Sequence, residues 1–325
     1  MDKELYYDLR NPIISHEFIT NISLIKSSVK KIWKDAPIII PEFTDHGLDH
    51  SERLIDLSNF IINSNQLIRL SENEIYLLII SIYLHDIGMQ CDLNNFPEIK
   101  KILNKSYGVE ISLEFKADSA TSYSPNEKML IRGIHHLTTA AWIEYGYRSG
   151  KTDLGLALQE IPKELISDLI DICKYHSKLP INKCDISFTR FPNDRKCLIA
   201  AILRLADELD ISSNRVNLQT IKDFRIPIEN AFYWWLHSCT TIAPKNSFEF
   251  FITITLNPDD FVKYSDIIRV LYIDGFIKKN DSIISILNNY NYPIKISGNS
   301  NIISDNNYDK LPVLIVDYLN KQKLE

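Results

Sequence analysis

The chain is 325 residues long, 45% hydrophobic and 24% charged, the make-up of an ordinary globular protein with one large domain or two unequal ones. A formal net charge of −6 and a pI of about 5.8 exclude a surface built wholesale for nucleic acid, although a local basic patch such as Lys30, Lys31 and Lys34 stays compatible with them. Met1-Asp2-Lys3-Glu4 lacks the features of a signal peptide, no apolar stretch reaches the roughly 18 residues of a membrane span, and five irregularly spaced cysteines fit reduced thiols, so a cytoplasmic protein is expected.

In chain order, turn chemistry over Thr44–Ser51 opens a helix near His50, which Ile55, Leu57, Phe60, Ile61 and Ile62 continue. The apolar run Tyr76–Leu84 reads as a buried helix ending at His85-Asp86, with Gly88 as a left-handed helix terminator. Ile131, Ile134, Leu137, Ala141 and Trp142 form a further amphipathic pattern, followed by Leu165–Tyr175 and Leu198–Leu209. After Arg215 the texture changes. Phe248, Phe250, Ile252, Ile254 and Leu256 alternate with polar residues as in a half-buried strand, a helix follows Asn257-Pro258, Tyr292–Ile296 reads as another strand, and 297–307 as an exposed loop. The expected fold is mostly α, with a helical domain over 1–215 and a small α+β subdomain over 216–325 that regulates it or shapes the substrate site.

The polar residues inside the helical patterns carry the chemistry. A buried carboxylate without a cation costs several kcal/mol, so Asp86 beside His85 calls for a basic partner or a metal. His50, the pair His135-His136, His176 and Asp207 each sit on or at the end of an apolar helix, giving the order His, His-Asp, His, His, Asp along the chain. Other signals are weaker. Gly146–Thr152 has the wrong glycine spacing for a phosphate loop and reads as a helix-ending turn, Cys173 and His176 lack the second pair of a zinc knuckle, and the aromatics Phe232–Trp235 read as core.

That order resembles the HD superfamily of metal-dependent phosphohydrolases over roughly residues 40–215. His50 matches its first histidine, His85-Asp86 its defining pair and Asp207 its closing aspartate. His136, followed by Thr139-Ala140-Ala141, and His176 match the extra histidines of two-metal members such as the HD-GYP phosphodiesterases and CRISPR-associated HD nucleases, although the Gly-Tyr-Pro motif is absent. The segments Asp45–Ser51, Tyr83–Met89 and Leu203–Asp210 are similar in texture to HD proteins of prokaryotic conflict systems, often encoded near heat-shock-type ATPases.

The resemblance implies an HD-type helical domain holding one or two divalent transition metals through His50, His85, Asp86, His136, His176 and Asp207. A mixed imidazole and carboxylate set suits Mn, Fe, Ni, Co or Zn, and Asp86 can offer one oxygen to each of two ions. Arg53, Arg204 and Lys174 are the basic candidates for a clamp on the phosphoryl oxygens, with Asp86 at the reacting centre; His46 and His135 receive no assigned role. The expected activity is hydrolysis of a nucleotide or short nucleic-acid phosphoester by metal-activated water in antiviral defence. Expected partners are a nucleotide or short single strand, a conflict-system ATPase and a second copy of the chain, with no membrane. The alternative is a non-catalytic nucleotide- or partner-binding module that signals through its C-terminal subdomain.

Overall fold

The computed structural model describes residues 7–35, 39–40, 47–65, 69–91, 97–111, 123–186, 195–211, 228–298 and 302–323. They fall into two compact units, one holding the described residues 7–62 and 69–207, the other residues 63–65 together with those from 208 onward. The first is helical throughout; the second combines helices with a small sheet, so the protein is mostly α with an α+β C-terminal part. No described helix is long and apolar enough to cross a membrane.

The first unit contains α1 (His16–Asp35), α2 (Leu48–Asn63), α3 (Glu72–Leu84), a 3-10 turn (Ile87–Gln90), α4 (Pro97–Tyr107), α5 (Pro125–Ser149), α6 (Asp153–Gln159), α7 (Ile166–Tyr175), a second 3-10 turn (Ile181–Ile186) and α8 (Lys196–Leu209). α3 is the centre of the layer. Its residues from Glu74 to Leu84 are all buried, as expected for a helix apolar on every side, and it packs on α1 and α7. The 25-residue α5 starts with a capping box between Ser124 and Glu127 and stops at Gly150, whose φ of 59° is the left-handed conformation that glycine adopts without steric cost. Gly146–Thr152 is thus the end of this helix and the N-cap of α6. Gly88, by contrast, does not terminate a helix in that way. It lies in the first 3-10 turn and is absent from the glycines with positive φ, which among the described residues are Gly108 and Gly150.

The start of α3 is fastened by one buried carboxylate. Ser71 caps the helix through the Glu74 backbone N–H at 3.1 Å, while Glu74 Oε2 accepts from the Ser71 N–H at 2.8 Å. Glu74, 1% exposed, also accepts from Arg195 Nε, Nη2 and backbone N at 2.8–2.9 Å, joining α3 to the entry of α8. Glu74→Ala is expected to destabilise the protein by about 3 kcal/mol, at the low end for a broken buried pair because Arg195 keeps some solvent contact. Urea unfolding measures it; a loss below about 1 kcal/mol would mean that the cap and the ion pair contribute little.

The second unit contains α9 (Ile228–Ser238), β1 (Thr240–Asn246), β2 (Glu249–Leu256), α10 (Pro258–Ile268), a π turn (Arg269–Asp274), α11 (Gly275–Asn289), β3 (Lys295–Gly298), β4 (Ile303–Ser304) and α12 (Val313–Gln322). β1 and β2 form an antiparallel hairpin in the register Ile242↔Ile252, and β3 and then β4 lie parallel to successive parts of β2. Phe250, Ile252, Ile254 and Leu256 are buried, the face that alternation predicts, whereas Phe248 falls in the hairpin turn and is 42% exposed. The strand expected over Tyr292–Ile296 begins only at Lys295, and the segment expected as a loop contains β4. Phe232, Trp234 and Trp235 are core residues, and Tyr233 is exposed.

Candidate metal centre

Five short stretches of chain deliver the polar side chains to one place in the first unit. His50 comes from the first turn of α2 and His85 is the C-cap of α3. Asp86 has φ −105° and ψ 2°, the sparsely allowed bridge region, which turns its carboxylate off the helix axis. His135 comes from the middle of α5, His176 is the C-cap of α7, and Asp207 lies in the last turn of α8. His50, His85, Asp86 and His176 are at most 4% exposed, while the Asp207 side chain keeps about a quarter of its surface open.

The donors form two groups that share Asp86. In the first, ligand atoms of His50, His85, Asp86 and Asp207 all lie within 4.8 Å of one another; in the second the same holds for Asp86, His135 and His176. Asp86 Oδ2 stands 3.2 Å from His85 Nε2 and 3.8 Å from His50 Nε2, and Oδ1 stands 3.3 Å from His135 Nε2 and 3.5 Å from His176 Nε2. Asp207 Oδ1 closes the first group at 3.2 Å from His50 Nε2.

Hydrogen bonds on the far side of the rings set their chemical form. Nδ1 of His85, His135 and His176 each lies against the carbonyl three residues back, of Ile82 at 2.9 Å, Arg132 at 2.7 Å and Cys173 at 2.5 Å. A carbonyl only accepts, so each Nδ1 carries a proton, which leaves Nε2 as the atom of each ring that can ligate a metal. His135 Nε2 and His176 Nε2 then face each other at 3.0 Å, and His50 Nε2 and His85 Nε2 at 3.3 Å. Nitrogens at that distance need a cation between them, a shared proton or a metal ion. Two nitrogens bound at about 2.1 Å to one ion are separated by roughly 3.0–3.4 Å, so the donor set fits a divalent metal.

Electrostatics agrees with that assignment. Burial works against a charged His85, yet the Asp86 and Asp207 carboxylates outweigh it and raise its pKa to about 9: the first group attracts positive charge. Burial pulls His176 below the usual imidazole range against the attraction of Asp86, and the adjacent His135 and His85 add to the fall.

The remaining candidates are distributed unevenly. The group around Asp86 takes in His135 and not His136, because neighbours on a helix point about 100° apart and only one of the two can face the 3-10 turn. The row Ile131, His135, Thr139 at four-residue spacing is that face: Thr139 Oγ1 donates to the His85 carbonyl at 2.7 Å and accepts from Gly88 N–H at 3.0 Å. The periodicity of α5 carries this signal, but adjacent histidines blur it. His136 is 3% exposed, and burial, reinforced by His135, His176, Lys178 and Arg204, pushes it down to about 3.

Lys174 is turned to other work, in an ion pair with Asp171 at 2.7 Å and over the ring of Tyr175. Arg204 donates to the Leu179 carbonyl at 2.7 Å, and Arg53 is half-buried one turn after His50 on α2. His46 lies outside the described residues. Arg132, half-buried on α5 and in electrostatic reach of Asp86, had no sequence signal.

Among known families, the model described as HD-CE matches residues 40–248, more than half of the chain. No curated protein and no solved structure matches the chain.

Proposed function

The chain belongs to the HD-CE family, and from that premise we propose that it is a metal-dependent phosphohydrolase acting on the phosphoester or phosphoanhydride of a nucleotide or short nucleic acid. The observation that carries this reading is the position of Asp86, one oxygen toward His50 and His85 and the other toward His135 and His176. His50, His85, Asp86 and Asp207 would hold one ion, and Asp86, His135 and His176 a second. A bound divalent transition ion supplies Lewis acidity, which neutralises phosphoryl oxygens and makes water acidic near neutral pH.

The chain's own groups do the positioning. The three carbonyl bonds to Nδ1 hold the rings in one orientation and leave Nε2 as the ligand atom, which gives up its proton when a metal binds. Asp207, the most exposed member, marks the side from which substrate and water reach the centre. Arg132 and Arg204 offset the charge of a bound phosphate.

Manganese as the preferred ion and a place in antiviral defence beside an ATPase belong to the same proposal. The resemblance of Asp45–Ser51, Tyr83–Met89 and Leu203–Asp210 to conflict-system HD proteins supports the defence role, and loss of protection against viral infection on Asp86→Ala substitution checks it.

The decisive assay compares nucleoside triphosphates, cyclic nucleotides, short single strands and duplex DNA with Mn-loaded protein. The net charge of −6 favours small substrates over an extended strand, so turnover of a mononucleotide or short oligonucleotide should exceed duplex cleavage. Cleavage of duplex alone would overturn the substrate assignment, and no turnover at all would leave a binding module. His135→Ala is expected to lower the metal-to-protein ratio toward one, whereas His136→Ala leaves it unchanged; the opposite pattern would exchange the roles of the two histidines.

A further inference from the structure

Asp86 stands where an aspartate ordinarily folds its side chain back on its own backbone. It is the N-cap of the 3-10 turn Ile87–Gln90, and an N-cap carboxylate accepts from the N–H of the second or third residue of the turn, here Gly88 or Met89. The Asp86 side chain makes no such capping bond. The Met89 N–H goes to the Asp86 backbone carbonyl at 2.9 Å, and the Gly88 N–H goes to a hydroxyl from another helix, Thr139 Oγ1 of α5, at 3.0 Å.

That hydroxyl is diverted from its usual partner. A threonine inside a helix commonly donates to the carbonyl four residues back, as the adjacent Thr138 does to Ile134 at 3.2 Å. Thr139, fully buried, donates instead to the His85 carbonyl at 2.7 Å, at the end of α3 where carbonyls lack a helical partner. One side chain thus satisfies backbone groups on both sides of Asp86, the carbonyl of the residue before it and the N–H two residues after it. Such an approach requires position 88 to lack a side chain, since a Cβ there would stand 2.8 Å from the same Oγ1.

With both N–H groups of the turn engaged, the Asp86 carboxylate is kept off its own backbone and directed at the imidazoles, Oδ2 3.2 Å from His85 Nε2 and Oδ1 3.3 Å from His135 Nε2. Resting on the two-ion reading above, we infer that Thr139 is a positioning residue for the metal centre: its hydroxyl caps the 3-10 turn in place of Asp86 and so commits the carboxylate to bridging. Without that hydroxyl the Gly88 N–H is a buried donor in need of an acceptor, and the Asp86 side chain is in the position to supply one. The second group, which has His135 and His176 besides Asp86, then keeps too few donors, and its ion leaves first.

The test is calorimetric titration of Mn into the metal-free full chain, with elemental analysis of the product. Thr139→Val keeps the side-chain shape and removes the hydroxyl, Thr139→Ser keeps the hydroxyl, and Thr138→Val removes the neighbouring hydroxyl, which is also buried. Thr139→Val should weaken binding of the second ion by about 10–100-fold and bring the metal-to-protein ratio toward one. Thr139→Ser and Thr138→Val should both stay close to wild type. If Thr139→Val does not fold, Thr139→Ala takes its place with the same expected loss. A hydroxyl that only held the fold together would lower the melting temperature and leave the second ion of the folded variant bound as in wild type; that result, or an equal loss of metal in Thr138→Val, would overturn the assignment.

A second measurement needs no metal. In the metal-free protein at neutral pH, Asp86→Ala should lower the melting temperature by about 2–4 °C more in the Thr139→Val background than in wild type, because only there has Asp86 become the cap. Equal shifts in the two backgrounds would overturn the role of Thr139. Fewer than two ions in wild type together with the larger shift would remove the two-ion reading and keep Thr139 as the cap, and two ions with equal shifts would do the reverse.

Discussion

Asp86→Ala is expected to abolish metal retention and turnover together. The carboxylate is the one side chain common to both donor groups, within 3.2–3.8 Å of four Nε2 atoms. Its loss leaves His135 and His176 as a pair, too few to hold an ion, and reduces the first group to His50, His85 and Asp207. Bound metal should fall to a small fraction of wild type and hydrolysis by about a thousandfold or more. The metal-free fold should survive, because removing a buried carboxylate from the apoprotein also removes its desolvation cost. The readable signature is thermal: Mn should raise the melting temperature of wild type by mass action and leave the variant unmoved. A variant that retains metal and turnover would mean that the centre lies elsewhere.

Gly88→Ala should be the most disruptive single methyl in the first unit. A Cβ there would stand 2.2 Å from the His135 carbonyl oxygen, 2.7 Å from the Thr139 backbone N and 2.8 Å from Thr139 Oγ1. The first two are backbone atoms of a 25-residue helix that also packs on α4, α6 and α7, so relief requires α5 to move as a body or the 3-10 turn to open. Either movement separates Asp86 from His135 and breaks the bonds of Thr139 to Gly88 and to the His85 carbonyl. A loss of about 3 kcal/mol or more is expected, at or beyond the upper end for overpacking because backbone is involved, with the second ion released first. Chemical denaturation and metal analysis of the same preparation check it; a destabilisation under about 1 kcal/mol with full metal content would show that the two segments are less tightly joined.

The elements that frame this centre were legible because burial leaves a mark in sequence. An uninterrupted apolar run announces α3, and a histidine or aspartate at the edge of such a run has few structural uses, which brings His50, His85, Asp86, His176 and Asp207 forward. Helical phase was harder to read. In α5 both His135 and His136 are buried, and only the row through Ile131 and Thr139 decides which one faces Asp86. Gly88 marks a close approach of α5 and not a left-handed turn, and the two leave the same residue type in a sequence.

In the second unit β2 declares itself through alternation, but β1, with Pro244 and mostly exposed residues, and the two-residue β4 exist only through their pairing with β2.

The most direct test of the central claim is the metal content of the wild-type protein, purified without chelator, incubated with Mn or Ni and freed of unbound ion before elemental analysis. Two donor groups sharing Asp86 predict between one and two ions per chain, retained through gel filtration and lost on acidification as the imidazoles take up protons. Protein that retains none after supplementation would contradict the account.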